Sequence, residues 1–277
     1  MPNNLLQLTD LSVYYPLKRQ KRWFYFKKDC FKVVDTVSLS IAEGESVALV
    51  GESGCGKSTL ARAIIGLQSS VGSIWWNQKE LNTLSSRAGR KARKSMQMIF
   101  QDPFSSLDPR MTLGSIVAEP LKSYIPHSSR QERLTQVKHT MFQVGLDPHM
   151  VNRYPHELSG GQCQRIAMAR ALIVKPKLLI CDEPTTALDM IIQAQIIDLL
   201  KQIRKKENMS ILLITHDFRA LAGLCDQTIV MKQGRIVEQG KTAELLSQPQ
   251  TDYSKALLAS IPCLLYTSPS PRDKRQS

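Results

Sequence analysis

The chain has 277 residues, 42% hydrophobic and 22% charged, enough for one large globular domain with a small appendage. No apolar run reaches the roughly 18–20 residues of a membrane-spanning helix, and the start "MPNNLLQLTD" lacks the pattern of a secretory leader, so a cytosolic protein is expected. Thirty-seven basic residues against 24 acidic ones give a net charge of +13, which points to an anionic partner: nucleotide, nucleic acid or a membrane surface.

The charge is concentrated in "KRQKRWFYFKK" (18–28), "RAGRKARK" (87–94) and the terminal "RDKRQS". Each block reads equally as a solvated face. The six cysteines show no CxxC spacing, so reduced thiols are expected rather than a metal cluster or disulfide framework.

In chain order, "SVALV" (46–50) is a compact apolar run, read as a buried strand. The glycine-rich "GESGCGKS" (51–58) follows, and "KSTLARAIIGL" continues as a helix ending near Gly66. "GSIWW" and "MQMIF" read as strands. Residues 112 to about 173 are helical, broken at "YIPHSS", "GLDP" and "RYPHELSGG". "KLLICDEP" is a strand ending in two carboxylates. "DMIIQAQIIDLLKQIRKK" is an amphipathic helix with Ile192, Ile196, Leu199 and Ile203 in one stripe. "SILLITHD" is another buried strand, and "QTIVMKQGRIVEQG" a hairpin turning at "KQG". The alternation predicts a mainly parallel α/β sheet with helices on both faces. From Pro262 the Pro- and Ser-rich chain has no apolar period and reads as disordered.

Residues 51–58 fit G-x-x-x-x-G-K-[ST] between a strand and a helix. Gly51, Gly54 and Gly56 let backbone N–H groups close around phosphate, and the helix N-terminus adds partial positive charge. Lys57 is placed to reach the β/γ phosphates and Ser58 to ligate Mg²⁺; Ser53, Cys55 and Thr59 complete the predicted nucleotide-binding loop. Asp182, at the end of a buried strand, is a candidate to hold Mg²⁺ directly or through water, and Glu183 is placed to address an attacking water. Gln101 is a candidate sensor of metal and water, His216 a candidate γ-phosphate contact, and Tyr15 a candidate adenine-stacking ring. "LSGGQCQR" (158–165) looks like a second phosphate-binding helix start.

P-loop, glutamine, LSGGQ, "CDEP", "ALD" and strand-end histidine, in that order, resemble the ATP-binding cassette (ABC) ATPase family over residues 5–248. The resemblance implies a P-loop NTPase fold: a mainly parallel core sheet, an N-terminal antiparallel β part and a helical insertion at about 104–173. It implies ATP and Mg²⁺ as ligands and head-to-tail pairing, in which Ser159, Gly160, Gly161 and Gln162 cover the γ-phosphate held by the opposing P-loop. Tyr15 then matches the adenine-stacking aromatic, Gln101 the lid glutamine, Glu183 the general base, His216 the switch histidine and Asp189 the residue that communicates across the dimer. Cys163 stands where a larger polar residue is common.

"FQDPFSSLDPRMTLG", "IVAEPL", "RYPHELSGGQ" and "TDYSKALLASIP" further resemble the ATPase subunits of bacterial dipeptide, oligopeptide and nickel importers. That branch implies a peripheral subunit on the cytoplasmic face of the inner membrane. Its partners would be a second cassette (a copy or a paralogue), transmembrane permease subunits and, indirectly, an extracytoplasmic solute-binding protein. Nucleic acid is not an expected partner; a soluble ABC ATPase acting on nucleic acid is the alternative. Residues 249–261 read as the start of the branch's C-terminal extension. "LLYTSPSPRD" resembles translated adapter sequence, so 262–277 is expected to be a non-native tail of a truncated frame, and no iron–sulfur site is inferred.

Overall fold

A computed structural model describes residues 4–16, 30–84, 86–186 and 188–259. The basic segment 18–28 and the tail 262–277, with Cys263, lie outside the described residues.

Two sheets organise the chain. β1 (Asn4–Pro16) pairs antiparallel with β2 (Cys30–Ala42) and with β4 (Val71–Trp76), which pairs with β5 (Lys79–Glu80), giving the order β2-β1-β4-β5. The second sheet comprises β3 (Ser46–Val50), β6 (Met96–Ile99), β7 (Leu178–Asp182), β8 (Ser210–Ile214), β9 (Gln227–Lys232) and β10 (Arg235–Lys241), in the order β10-β9-β3-β8-β7-β6. All its pairs are parallel except the β9–β10 hairpin. That hairpin turns through Gln233 and Gly234, both at positive φ (47° and 82°), as the "KQG" signal predicts.

Every residue of β3, β7 and β8 is buried. The reason is that both faces are covered, so the strands read as continuous apolar runs. Alternation survives in which side each residue serves. Val47, Leu49, Leu178 and Ile180 join a core shared with the antiparallel sheet and α1 (Lys57–Ile64). Ala48, Val50, Leu179 and Cys181 face the opposite core, built with the helices.

The remaining helices are α2 (Ser86–Lys94), α3 (Pro103–Ser106), α4 (Leu113–Tyr124), α5 (Arg130–Gln143), α6 (Gly160–Leu172), α7 (Met190–Glu207), α8 (Phe218–Leu224), α9 (Thr242–Ser247) and α10 (Asp252–Ala259); α4 to α10 contribute to that core, whereas α2 joins the first one through Ala92. Each predicted break supplies a cap. Ser129 closes a capping box with Glu132 at the start of α5, and Ser159 does so with Gln162 at α6. Along α7 the stripe is wider than its periodicity indicates. Ile196 and Leu200 are fully buried, while Ile192, Leu199 and Ile203 flank them. The basic block 87–94 falls on α2, with Ala92 turned inward. No helix among the described residues is long and apolar enough to cross a membrane.

Candidate active site

The loop between β3 and α1 wraps a small cavity of about 150 Å³. Two glycines there are required by crowding. Gly51 has φ 149°, and a Cβ on it would lie 2.1 Å from the Met231 carbonyl oxygen; on Gly56, at φ 107°, it would lie 2.8 Å from the Val33 carbonyl oxygen. Ser53, Gly54, Gly56, Lys57, Ser58 and Thr59 line the cavity, with Gln101 and Glu183 facing them from the ends of β6 and β7. Cys55 turns inward instead: its buried thiol lies 3.8 Å from Lys57 Nζ and is pushed up in pKa by burial. Lys57 is buried and folds back onto its own loop, donating to the Gly51 and Glu52 carbonyls at 2.7 and 2.8 Å.

Sequence-distant candidates meet here. Ser58 Oγ donates to Asp182 Oδ1 at 2.8 Å. Burial pushes the Asp182 carboxyl above its ordinary value, against the Ser58 hydrogen bond and the positive charges of Arg62 and Lys57. One residue further, the chain leaves the sheet through Glu183 in the left-handed region (φ 47°), a costly conformation for a residue with a Cβ. Its N–H still donates to the Ile214 carbonyl at 2.9 Å, extending the ladder to β8.

The turn collects three side chains on one carboxylate oxygen. Glu183 Oε2 accepts from Gln101 Nε2 at 2.9 Å and from Thr186 Oγ1 at 3.0 Å, and lies 3.7 Å from His216 Nδ1. Gln101, Glu183 and His216 are thus brought together, as read from the sequence. Thr186 was missed. Its signal was available in "EPTT", where a hydroxyl three residues after Glu183 can reach back across a turn.

The remaining candidates stand apart from this cavity. Tyr15 is half-buried at the end of β1, packed against the sheet core, and does not line it; Val33 does. Ser159, Gly160, Gly161 and Gln162 open α6. The Ser159 N–H donates to Gln162 Oε1 at 3.0 Å, and Ser159 Oγ accepts from the Gln162 N–H at 3.4 Å. The two glycines differ. A Cβ on Gly161 would lie 2.8 Å from Ile192 Cγ2, whereas one on Gly160 would meet nothing nearer than Leu188 Cδ2 at 3.5 Å. Gly161 therefore has a packing reason that the sequence reading did not supply. Asp189 caps α7, its Oδ1 accepting from the Ile191 and Ile192 N–H groups at 3.1 and 3.0 Å. Arg170 of α6 ties the segment after Gln101 to the helices, donating to the Ser106 carbonyl at 2.7 Å and approaching Glu119 at 3.4 Å.

Comparison with known proteins places the chain among ATP-binding cassettes. Residues 34–186 match the family described as ABC transporter. The oligopeptide transport ATP-binding protein OppF of Salmonella typhimurium is 49% identical over 259 residues, covering 93% of this chain and 78% of that protein. OppF of Escherichia coli gives the same identity and coverage. Among solved structures, the dimeric ATP-binding cassette MJ0796 in a post-hydrolysis state with ADP and Pi superposes with a TM-score of 0.75 at 28% identity. That match covers 86% of this chain and 98% of the other.

Proposed function

The chain belongs to the ABC transporter family, and from that premise we propose that it is the ATP-hydrolysing subunit of a peptide importer. It would work at the cytoplasmic face of the inner membrane, beside separate permease subunits. The observation that carries the reading is the gathering of Ser58 with Asp182, and of Gln101 and His216 with Glu183, around one P-loop cavity. Relatives named for oligopeptide transport favour peptides over nickel as cargo. The nucleic-acid alternative gains no support from them.

In this reading ATP phosphates lie against the loop from Gly51 to Thr59, and Lys57 swings from the loop carbonyls to the β/γ phosphates. Ser58 Oγ and Asp182 Oδ1 are hard oxygen donors already 2.8 Å apart, and Gln101 lies at the same cavity. Such a set fits Mg²⁺, which keeps waters and phosphate oxygens in its shell. Held by Ser58 and Asp182, Mg²⁺ would supply positive charge against the phosphates. Glu183 polarises the attacking water and takes its proton, while Gln101, Thr186 and His216 orient the carboxylate. Tyr15 stacks on adenine from outside the phosphate cavity.

The α6 start serves a second cassette, as the dimeric relative supports: Ser159, Gly160, Gly161 and Gln162 cover the γ-phosphate bound by the partner, and Asp189 relays the pairing. Residues 104–173 act as the helical insertion that passes movement to the permease. The test is reconstitution of the full chain with partner cassette and permeases in liposomes. Peptide uptake must require ATP on the cassette side. Uptake without ATP, or no hydrolysis by the assembled complex, refutes the proposal.

A further inference from the structure

Tyr253 stands outside every nucleotide-site motif, in the first turn of α10, yet its hydroxyl reaches the P-loop. The Glu52 N–H donates to Tyr253 Oη at 3.1 Å, across 201 residues of chain. The other side of the same peptide unit faces Lys57, whose Nζ donates to the Gly51 carbonyl at 2.7 Å. A planar peptide cannot rotate without disturbing both bonds. Neither residue offers a side chain inside the loop to fix that plane: Gly51 has none, and Glu52 is exposed.

The phenol is itself held. Lys232 Nζ sits 4.5 Å over the ring centroid. Ahead of α10, the Glu238 carboxylate on β10 accepts from the Gln250 N–H (2.8 Å), the Thr251 N–H (3.0 Å) and the Thr251 hydroxyl (2.8 Å). Thr251 Oγ1 then accepts from the Ser254 N–H at 3.1 Å, and Ser254 is buried. A helix start fixed at this many points presents the hydroxyl rigidly.

We infer that Tyr253 is a positioning residue for nucleotide binding: by holding the Glu52 N–H it fixes the backbone turn of the P-loop against which the phosphates lie once Lys57 leaves the Gly51 carbonyl. It does not touch the nucleotide. The inference rests on the reading of this loop as the ATP site.

The test is Tyr253→Phe in the full chain, which keeps the ring and its Lys232 contact and removes only the hydroxyl. Kd and KM for Mg-ATP are expected to rise about three- to tenfold, the worth of one lost hydrogen bond, with kcat at saturating ATP and the melting temperature unchanged. Wild-type Kd in the Phe variant overturns this role and leaves the ATPase reading standing. So does an affinity loss accompanied by a matching fall in melting temperature, which marks Tyr253 as merely structural. A wild-type chain that binds no ATP overturns the ATPase reading and this role with it.

Discussion

Ser58 and Asp182 are 124 residues apart in sequence, and the hydroxyl of one donates to the carboxylate of the other at 2.8 Å. The pair joins the start of α1 to the end of β7, so the fold brings together the two oxygen donors that Mg-ATP would share. Asp182 is 1% exposed, and burial raises its pKa. A carboxyl whose folded pKa exceeds its unfolded one contributes stability below the unfolded value and loses it as pH rises through the folded value. At neutral pH the buried anion is a cost. Asp182→Asn keeps an oxygen for Ser58 and removes the charge. The melting temperature at pH 7 should rise while ATP hydrolysis is lost. A lower melting temperature would show that the charge stabilises the fold.

Glu183 is the next residue along. Glu183→Gln preserves size and backbone while removing the proposed base. Hydrolysis should slow by about 10²–10⁴-fold, with ATP binding retained and an ATP-bound dimer visible on size exclusion. Near-normal turnover would mean that another group takes the proton. Thr186→Ala should cost less, since Gln101 and His216 still approach the same carboxylate oxygen.

Much of this site was legible because its determinants are local. The P-loop spacing, the apolar runs of β3 and β7, and the glycine-led start of α6 depend on neighbours in sequence. What escaped depends on tertiary approach. The burial of Leu200 reflects how α7 sits on the sheet, and Gly161 is constrained by Ile192 of a different helix. The left-handed turn at Glu183 is stabilised by its ladder bond to Ile214, a strand away. Tyr253 reaches Glu52 across 201 residues of chain, with Lys232 at the end of β9 over its ring and Glu238 of β10 holding the residues just before it. No period or spacing encodes such meetings.

The two glycines of the α6 start should separate function from packing. Gly160 has space beside it, so Gly160→Asp should fold normally and bind ATP as a monomer with near-wild-type affinity. ATP-driven pairing should fail, because the carboxylate would face the partner's γ-phosphate. Loss of ATP binding by the monomer would contradict service in trans. Gly161→Ala should instead lower the melting temperature, because its Cβ would lie 2.8 Å from Ile192 Cγ2. Adding Ile192→Ala removes that atom and should recover part of the loss. No recovery would place the strain elsewhere.

Glu238 offers a pH test of the C-terminal anchor. Burial works to raise its pKa, but hydrogen bonds from Gln250, Ser254 and Thr251 outweigh it and hold the value at about 2, below the ordinary 4.5. The folded pKa is the lower one, so the contribution is present above the ordinary value and fades as pH falls through about 2. Glu238→Gln cannot accept all of these bonds as an anion does. At pH 7 it should lower the melting temperature by roughly 2–4 °C and weaken ATP binding in the same direction as Tyr253→Phe, because the anchor carries that tyrosine. The melting-temperature gap to wild type should narrow as pH drops from 4.5 towards 2, where wild type loses the charge that the variant never had. A gap that stays constant over that range would show that the carboxylate's charge does not hold α10 in place.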